Sequence, residues 1–150
     1  MSAKKESKQI KLGYRITKIQ TTKFAFEDVL EDKLKELLAN SDGLGLNINV
    51  GIHINQEESL VTIDVETILI DIAAKINLVT HSARTIFFIE NLKSTYNKET
   101  KAFDLPNELL VQIYGISYTH ARALLSTEIS PTVYRDKYLL QVKNIYLDKL

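Results

Sequence analysis

Residues 44–55 read LGLNINVGIHIN. Every even position is aliphatic: Leu44, Leu46, Ile48, Val50, Ile52 and Ile54. Every odd position is Gly, Asn or His. A period of two is the pattern of a strand with one buried face. The other face is polar but carries no formal charge. Gln56–Ser59 supplies a turn, and LVTIDVETILIDIA (60–73) is the next strand, so the pair reads as an antiparallel hairpin. Val61, Ile63 and Val65 share one parity, whereas Ile68, Ile70 and Ile72 share the other. That phase change predicts a bulge at Glu66-Thr67. Residues 74–82 either extend this strand or form a loop. ARTIFFIENLKSTYN (83–97) reads as the fourth strand.

Upstream, Ile10, Leu12, Tyr14 and Ile16 are apolar, while Lys11, Arg15 and Thr17 are polar. The alternation lapses over 18–23, with Ile19 out of phase, and resumes at Phe24 and Phe26. A bend near Thr21-Thr22 accounts for this. From Glu27 to Asn40 the period changes. Val29, Leu30, Leu34, Leu37 and Leu38 recur at three and four, the mark of a helical crossover that ends in Asn-Ser-Asp-Gly at 40–43. Residues 1–8 read as a disordered leader, and 9–150 as a single domain. Four strands precede any convincing helix. The expected fold is α+β: a four-stranded antiparallel, Greek-key-like sheet, one main helix packed on it, and a crossover over 27–43.

The chain has 150 residues and a formal net charge of zero. Neutrality weighs against nucleic-acid binding, which is driven by Lys and Arg. There is no cysteine, so neither a thiolate nucleophile nor a cysteine zinc site is available. No apolar run reaches the ~18 residues of a membrane span. The expectation is a cytoplasmic protein without membrane insertion.

QIYGISYTHARALLS (112–126) has the outline of a helix-turn-helix DNA reader, with a turn at Gly115 and Ser117 capping the second helix. Three features oppose that reading. Val111, four residues before the glycine, is bulky where two helices meet. The second helix offers only Thr119, His120 and Arg122 as polar contacts. Asp104, Glu108 and Glu128 flank it and repel phosphate. The alternative is a Ser117-capped helix whose apolar stripe lies on the sheet.

No chemistry is legible. His53, His81 and His120 share no metal-ligand spacing, the serines sit in no nucleophile elbow, and the acidic pairs at 27–28, 31–32 and 57–58 read as solvated faces. The chain is expected to be neither an enzyme nor a holder of metal or cofactor. What stands out is an apolar and aromatic surplus beyond what one small sheet and one helix can bury. Such a surplus goes to an oligomer interface or a partner groove.

The order of these features resembles the SecB-like export chaperones. YRITKIQTTKFAFED (14–28) looks like that family's opening strand, with Phe26-Glu27 in its Phe-Glu and Lys23 and Ala25 in place of its acid and serine. FIENLKSTYN (88–97) is similar to its fourth strand, with Glu90 and Tyr96 in the acidic and aromatic places. GISYTHARALL (115–125) sits where its main helix begins, with Ala121-Arg122 matching and Leu124-Leu125 like the divergent branch. LLQVKNIY (139–146) resembles its Leu-x-x-Pro-hydrophobic-Asn-Phe, with Val142 in the proline place.

The resemblance implies an ATP-independent holdase that binds unfolded protein clients or preproteins in a hydrophobic groove, for protein export. It also implies a homo-oligomer built as a dimer of dimers, and a translocase motor or an antitoxin as partner. Translocase-linked members are strongly acidic, whereas this chain is neutral; divergent members serve an antitoxin. The groove residues implied are Phe24, Phe26, Leu34, Leu37, Leu38, Leu44, Tyr96, Phe103, Ile113 and Tyr114. The oligomer interface implied is Tyr118, Ala121, Arg122 and Leu125.

Overall fold

The structure, a computed structural model, describes residues 12–138. The 1–8 leader and the 139–146 motif lie outside the described residues. Strand β1 (Tyr14–Phe26) is followed by helix α1 (Glu31–Ala39), then by β2 (Leu44–Asn55), β3 (Leu60–Asp71) and β4 (Ile76–Ile89). A short 3-10 turn (Leu92–Thr95) and a minimal hairpin of β5 (Tyr96–Asn97) and β6 (Ala102–Phe103) lead into helix α2 (Asn107–Ile129). The main sheet has the order β1-β4-β3-β2, and every pairing is antiparallel. This is the expected Greek-key arrangement. Strands β2, β3 and β4 form a meander, and β1 returns beside β4 by way of the crossover.

One face of the sheet carries the core. On β3, Val61, Ile63, Val65, Thr67, Leu69 and Asp71 are buried; on β4, Val79, His81, Ala83, Thr85, Phe87 and Ile89 are. α2 lies over these strands and buries Leu109, Ile113, Ser117, Tyr118, Ala121, Leu125 and Ile129. Its spacing of mostly four residues is that of a helix face laid on a sheet. Tyr14 meets Phe87 edge-to-face with ring centroids 5.9 Å apart. The Tyr14 hydroxyl also donates to Gln112 Oε1 at 3.1 Å, fixing the start of α2 over the end of β4.

The lapse in β1 has a physical cause. The register against β4 slips between Ile16 and Lys18, and again between Thr21 and Lys23. At each slip a threonine hydroxyl satisfies a β4 carbonyl: Thr17 Oγ1 donates to Ile86 O and Thr22 Oγ1 to Ser82 O, both at 3.2 Å. One bulge moves Ile19 into phase with Ile16, and the second returns Phe24 to that same face.

Three sequence readings are corrected. First, β3 has no bulge at Glu66-Thr67. Its burial alternates without a break from Val61 to Asp71. Thr67 therefore stays on the helix side, and Ile68 and Ile70 lie half-buried on the opposite face. The slip falls later, at Leu69/Ile70, opposite Leu78. Second, β4 begins at Ile76 and ends at Ile89, so Tyr96 belongs to the small hairpin and not to the fourth strand. Third, α2 is one continuous helix of 23 residues. There is no turn at Gly115, and the two-helix DNA reader is absent. Ser117 caps nothing; mid-helix, its Oγ donates to Ile113 O at 2.7 Å.

Candidate functional site

α2 packs over β3, β4 and part of β1, and leaves the outer strands of the same face half-covered. On β1, Ile16, Ile19 and Phe26 are 41%, 44% and 44% exposed. On β2, Leu46 and Ile52 are 43% and 42% exposed, while Leu44, Ile48, Val50 and Ile54 between and beyond them pack against the core. The sheet face therefore carries two apolar rims, one along each edge strand. They differ in chemistry: the β1 rim is partly aromatic, with Phe24 and Phe26 stacked at 5.6 Å, and the β2 rim is wholly aliphatic.

The crossover after β1 carries further exposed apolar side chains. Leu30 is the most exposed large apolar side chain described, at 80%, and Leu38 stands at 44%. The same segment is anchored from beneath. Leu34 is buried, Glu27 N donates to Leu78 O at 2.8 Å, and the Tyr134 hydroxyl donates to Glu27 O at 2.8 Å. Burial, with the carboxylates of Glu27 and Asp28 nearby, pushes that hydroxyl up to about 12. Lys137 Nζ reaches Glu31 Oε1 at 3.1 Å and holds the Glu31 carboxyl below its ordinary range. Short acidic and apolar neighbours thus alternate over a fixed base. Phe26, Leu30 and Leu38 are held outward because Leu34 and the Glu27 backbone are held inward.

The expected groove residues divide. Phe24, Phe26, Leu37, Leu38 and Leu44 lie at the crossover end of the sheet, partly or largely accessible. Tyr96 and Phe103 pack on each other, ring centroids 5.1 Å apart, in the hairpin beyond the other end of β4. Leu34 and Ile113 are core residues at 1% and 0% exposure and present nothing to a partner. Tyr114 is half-buried on α2, and burial pushes its hydroxyl up. The expected interface set is corrected more sharply. Tyr118, Ala121 and Leu125 are 5%, 0% and 1% exposed because they form the contact between α2 and its own sheet. Burial raises the Tyr118 hydroxyl, and the neighbouring Arg122 opposes that shift. Ile16, Ile19, Leu30, Leu46 and Ile52 are exposed apolar residues that the expected groove set lacks. On the strands the periodicity was legible, but which half of an alternating strand escapes the helix was not.

Two concavities flank α2. A shallow groove of about 500 Å³ runs along its outer side, lined by Val111, Gln112, Gly115, Ile116, Thr119 and His120. A more polar cleft of about 670 Å³ lies between Leu12, the 3-10 turn, the hairpin and Pro106. Among the described residues no three His, Asp or Glu side chains gather as a metal site, and no helix is long and apolar enough to cross a membrane.

His81 is fully buried in mid-sheet. Its Nε2 lies 3.0 Å from Thr21 Oγ1, and its Nδ1 has no hydrogen-bond partner. Protonation would bury an N–H without an acceptor, and burial lowers its pKa from the ordinary 6.5. His120, 3.0 Å from Thr85 Oγ1, is lowered by the same cause. The folded state therefore binds fewer protons than the unfolded chain as pH falls through 6.5. Stability is fully present above that pH and declines below it. Urea midpoints measured from pH 8 to pH 5 are expected to fall on the acid side, and His81→Gln to flatten the decline.

The sequence matches no protein-family model and no curated protein. Among solved structures, the fold is similar to the Mycobacterium tuberculosis Rv1957 SecB-like chaperone in complex with a ChAD peptide from the Rv1956 HigA1 antitoxin. That superposition has a TM-score of 0.55 at 10% identity and covers 87% of each chain. A protein of unknown function from Streptococcus agalactiae superposes with a TM-score of 0.35 at 8% identity, over 87% of this chain and 98% of that one; this second likeness carries no argument. The first shows the fold alone: the four-stranded antiparallel sheet with α2 across it is SecB-like.

Proposed function

We propose that this chain is an ATP-independent holdase chaperone, without enzymatic activity, metal or cofactor, that takes up unfolded protein segments in the cytoplasm. The observation that carries the reading is the exposure of Phe26, Leu30 and Leu38 around an anchored crossover, with Ile16 and Ile19 exposed on the same face of β1. Holding an unfolded chain requires apolar surface that stays open while the protein remains folded. A shelf anchored by Leu34 and Tyr134 meets both conditions. Side chains on such a shelf read hydrophobicity without reading sequence, and repeated weak sites along one client add avidity. The two half-covered rims are suited to self-association into a dimer of dimers, which would join shelves from several copies. Preproteins for export, passed on to a translocase motor, are the client class that the sequence resemblance implies.

A second reading is favoured by one specific observation. The structure of similar fold holds an antitoxin-derived peptide. A chaperone dedicated to one partner, such as an antitoxin, would use the same shelf for a single cognate segment. Competition separates the two. Two unrelated unfolded proteins are expected to displace one another from the purified chain and to be protected from aggregation alike. Failure of both to bind, with tight binding of one cognate peptide, would favour the dedicated chaperone and reject the general one.

A further inference from the structure

We propose that the open face of the sheet, along β1, is a docking surface for an acidic segment of another polypeptide. This face is opposite the one used by the shelf, and the inference does not depend on the holdase reading.

The charges of this neutral chain are unevenly placed. Residues 1–25 carry seven Lys or Arg against one acid, Glu6. Three of those cations lie within the described part of β1, and the register puts all three on the open face. Arg15 pairs with Phe88, Lys18 with Ile86 and Lys23 with Ser82, and these β4 positions alternate with the core residues Phe87 and Ala83. All three cations are exposed. None of them has a carboxylate within salt-bridge distance among the described residues.

Two acids of the same face are engaged, and a third, Glu90 just past β4, has its carboxyl beside Gly13 at the Arg15 end. Asp64 takes two bonds from Arg84, at 2.8 and 3.3 Å, and Glu66 accepts from Asn49 Nδ2 and Ser82 Oγ, each at 3.4 Å. Arg15 is oriented without an anion, its guanidinium 4.8 Å above the Phe88 ring. Among the described residues the open face therefore carries a stripe of three unpaired cations, roughly 25 Å long at ~3.3 Å per residue, with one acid, Glu90, at its Arg15 end.

The nature of the occupant follows from what the stripe repels. The sequence of the chain's first eleven residues carries Lys4, Lys5, Lys8 and Lys11, the same sign as the stripe and so the wrong chemistry for its occupant. A second copy paired β1 to β1 would set like charges against each other, which destabilises cross-strand pairs. A nucleic acid crossing the sheet would meet Asp64 and Glu66 in its central rows. An extended peptide avoids these costs: its same-face side chains recur every ~7 Å, so carboxylates can meet the β1 cations without crossing β3. The two bulges limit continuous backbone pairing along β1, so recognition is by side chains and weakens with salt.

The test uses the full chain and a labelled peptide of alternating Glu and Thr, about twelve residues long and matched to the stripe. The expected results are binding that weakens as NaCl is raised, no binding of the corresponding Lys-Thr peptide, and amide shifts concentrated at Arg15, Lys18, Gln20, Lys23 and Arg84. The combined Arg15→Gln, Lys18→Gln and Lys23→Gln variant should weaken the peptide by about tenfold or more. Equal binding of the Lys-Thr peptide, shifts confined to α2 or β2, or tighter binding of oligo-dT would overturn the proposal. So would a solution mass showing that a second copy occupies the face and excludes the peptide. The peptide comparison and the shift map are read on the unmodified protein, so neither relies on the variant folding.

Discussion

Tyr134→Ala is expected to destabilise the protein by about 3–5 kcal/mol, the range for removing a large buried aromatic. Tyr134 is fully buried, and its hydroxyl donates to the backbone of Glu27 at 2.8 Å. The side chain therefore does two things at once. It fills the core below the C-terminal end of α2, and it pins the start of the crossover. Tyr134→Phe separates them, keeping the ring and deleting one hydrogen bond, at a cost of about 1 kcal/mol. Urea unfolding measures the difference. Hydrogen exchange over residues 27–40 reports the pin: exchange should quicken there in both variants, while the centre of β3 is slowed or quickened only by the change in global stability.

The second large effect is on holding clients. Changing Phe26, Leu30 and Leu38 together to Ser is expected to reduce suppression of client aggregation by about tenfold or more, since tenfold is only about 1.4 kcal/mol, roughly the burial of two methylene groups. Leu30 is 80% exposed, whereas Phe26 and Leu38 are more than half covered and Phe26 stacks on Phe24, so the urea midpoint is measured alongside and client suppression compared under conditions where the variant is folded. Leu46→Ser with Ile52→Ser, on the other rim, is the matched control. A loss of equal size in the control would enlarge the site to both edges of the sheet. No loss in the triple variant would remove the shelf from the account.

Much of the fold was legible because β2 and β1 have one wet face. Where one side of a strand meets water, polarity marks the parity, and even the two-bulge detour of Ile19 left a readable lapse. β3 was harder for the opposite reason. It is a central strand with neighbours on both edges, and its two faces are both partly covered, so Ile68 and Ile70 looked like core while the core position was Thr67. The break read at Gly115 and Ser117 reflects local preference. A glycine costs a helix about 1 kcal/mol, less than α2 recovers by burying Ile113, Ala121 and Leu125 on the sheet.

The site was less legible than the fold. α1 shows an apolar periodicity, yet nothing in nine residues says that Leu34 is packed inward and Leu38 left out. The stripe of Tyr118, Ala121 and Leu125 was read correctly as a packing face, but a stripe does not name its partner, and the partner is the chain's own sheet. The rims became visible only once α2 was seen to be too narrow for four strands.

The most direct test of the central claim is a client footprint. A purified unfolded protein carrying a photoreactive apolar group is bound to the full chain, irradiated, and the attachment sites are read by mass spectrometry. Attachment clustered at Phe26, Leu30 and Leu38, with Ile16 and Ile19 beside them, is the predicted result. Attachment on the open face around Asn49 and Arg84, or none above that given by a folded control protein, would contradict it.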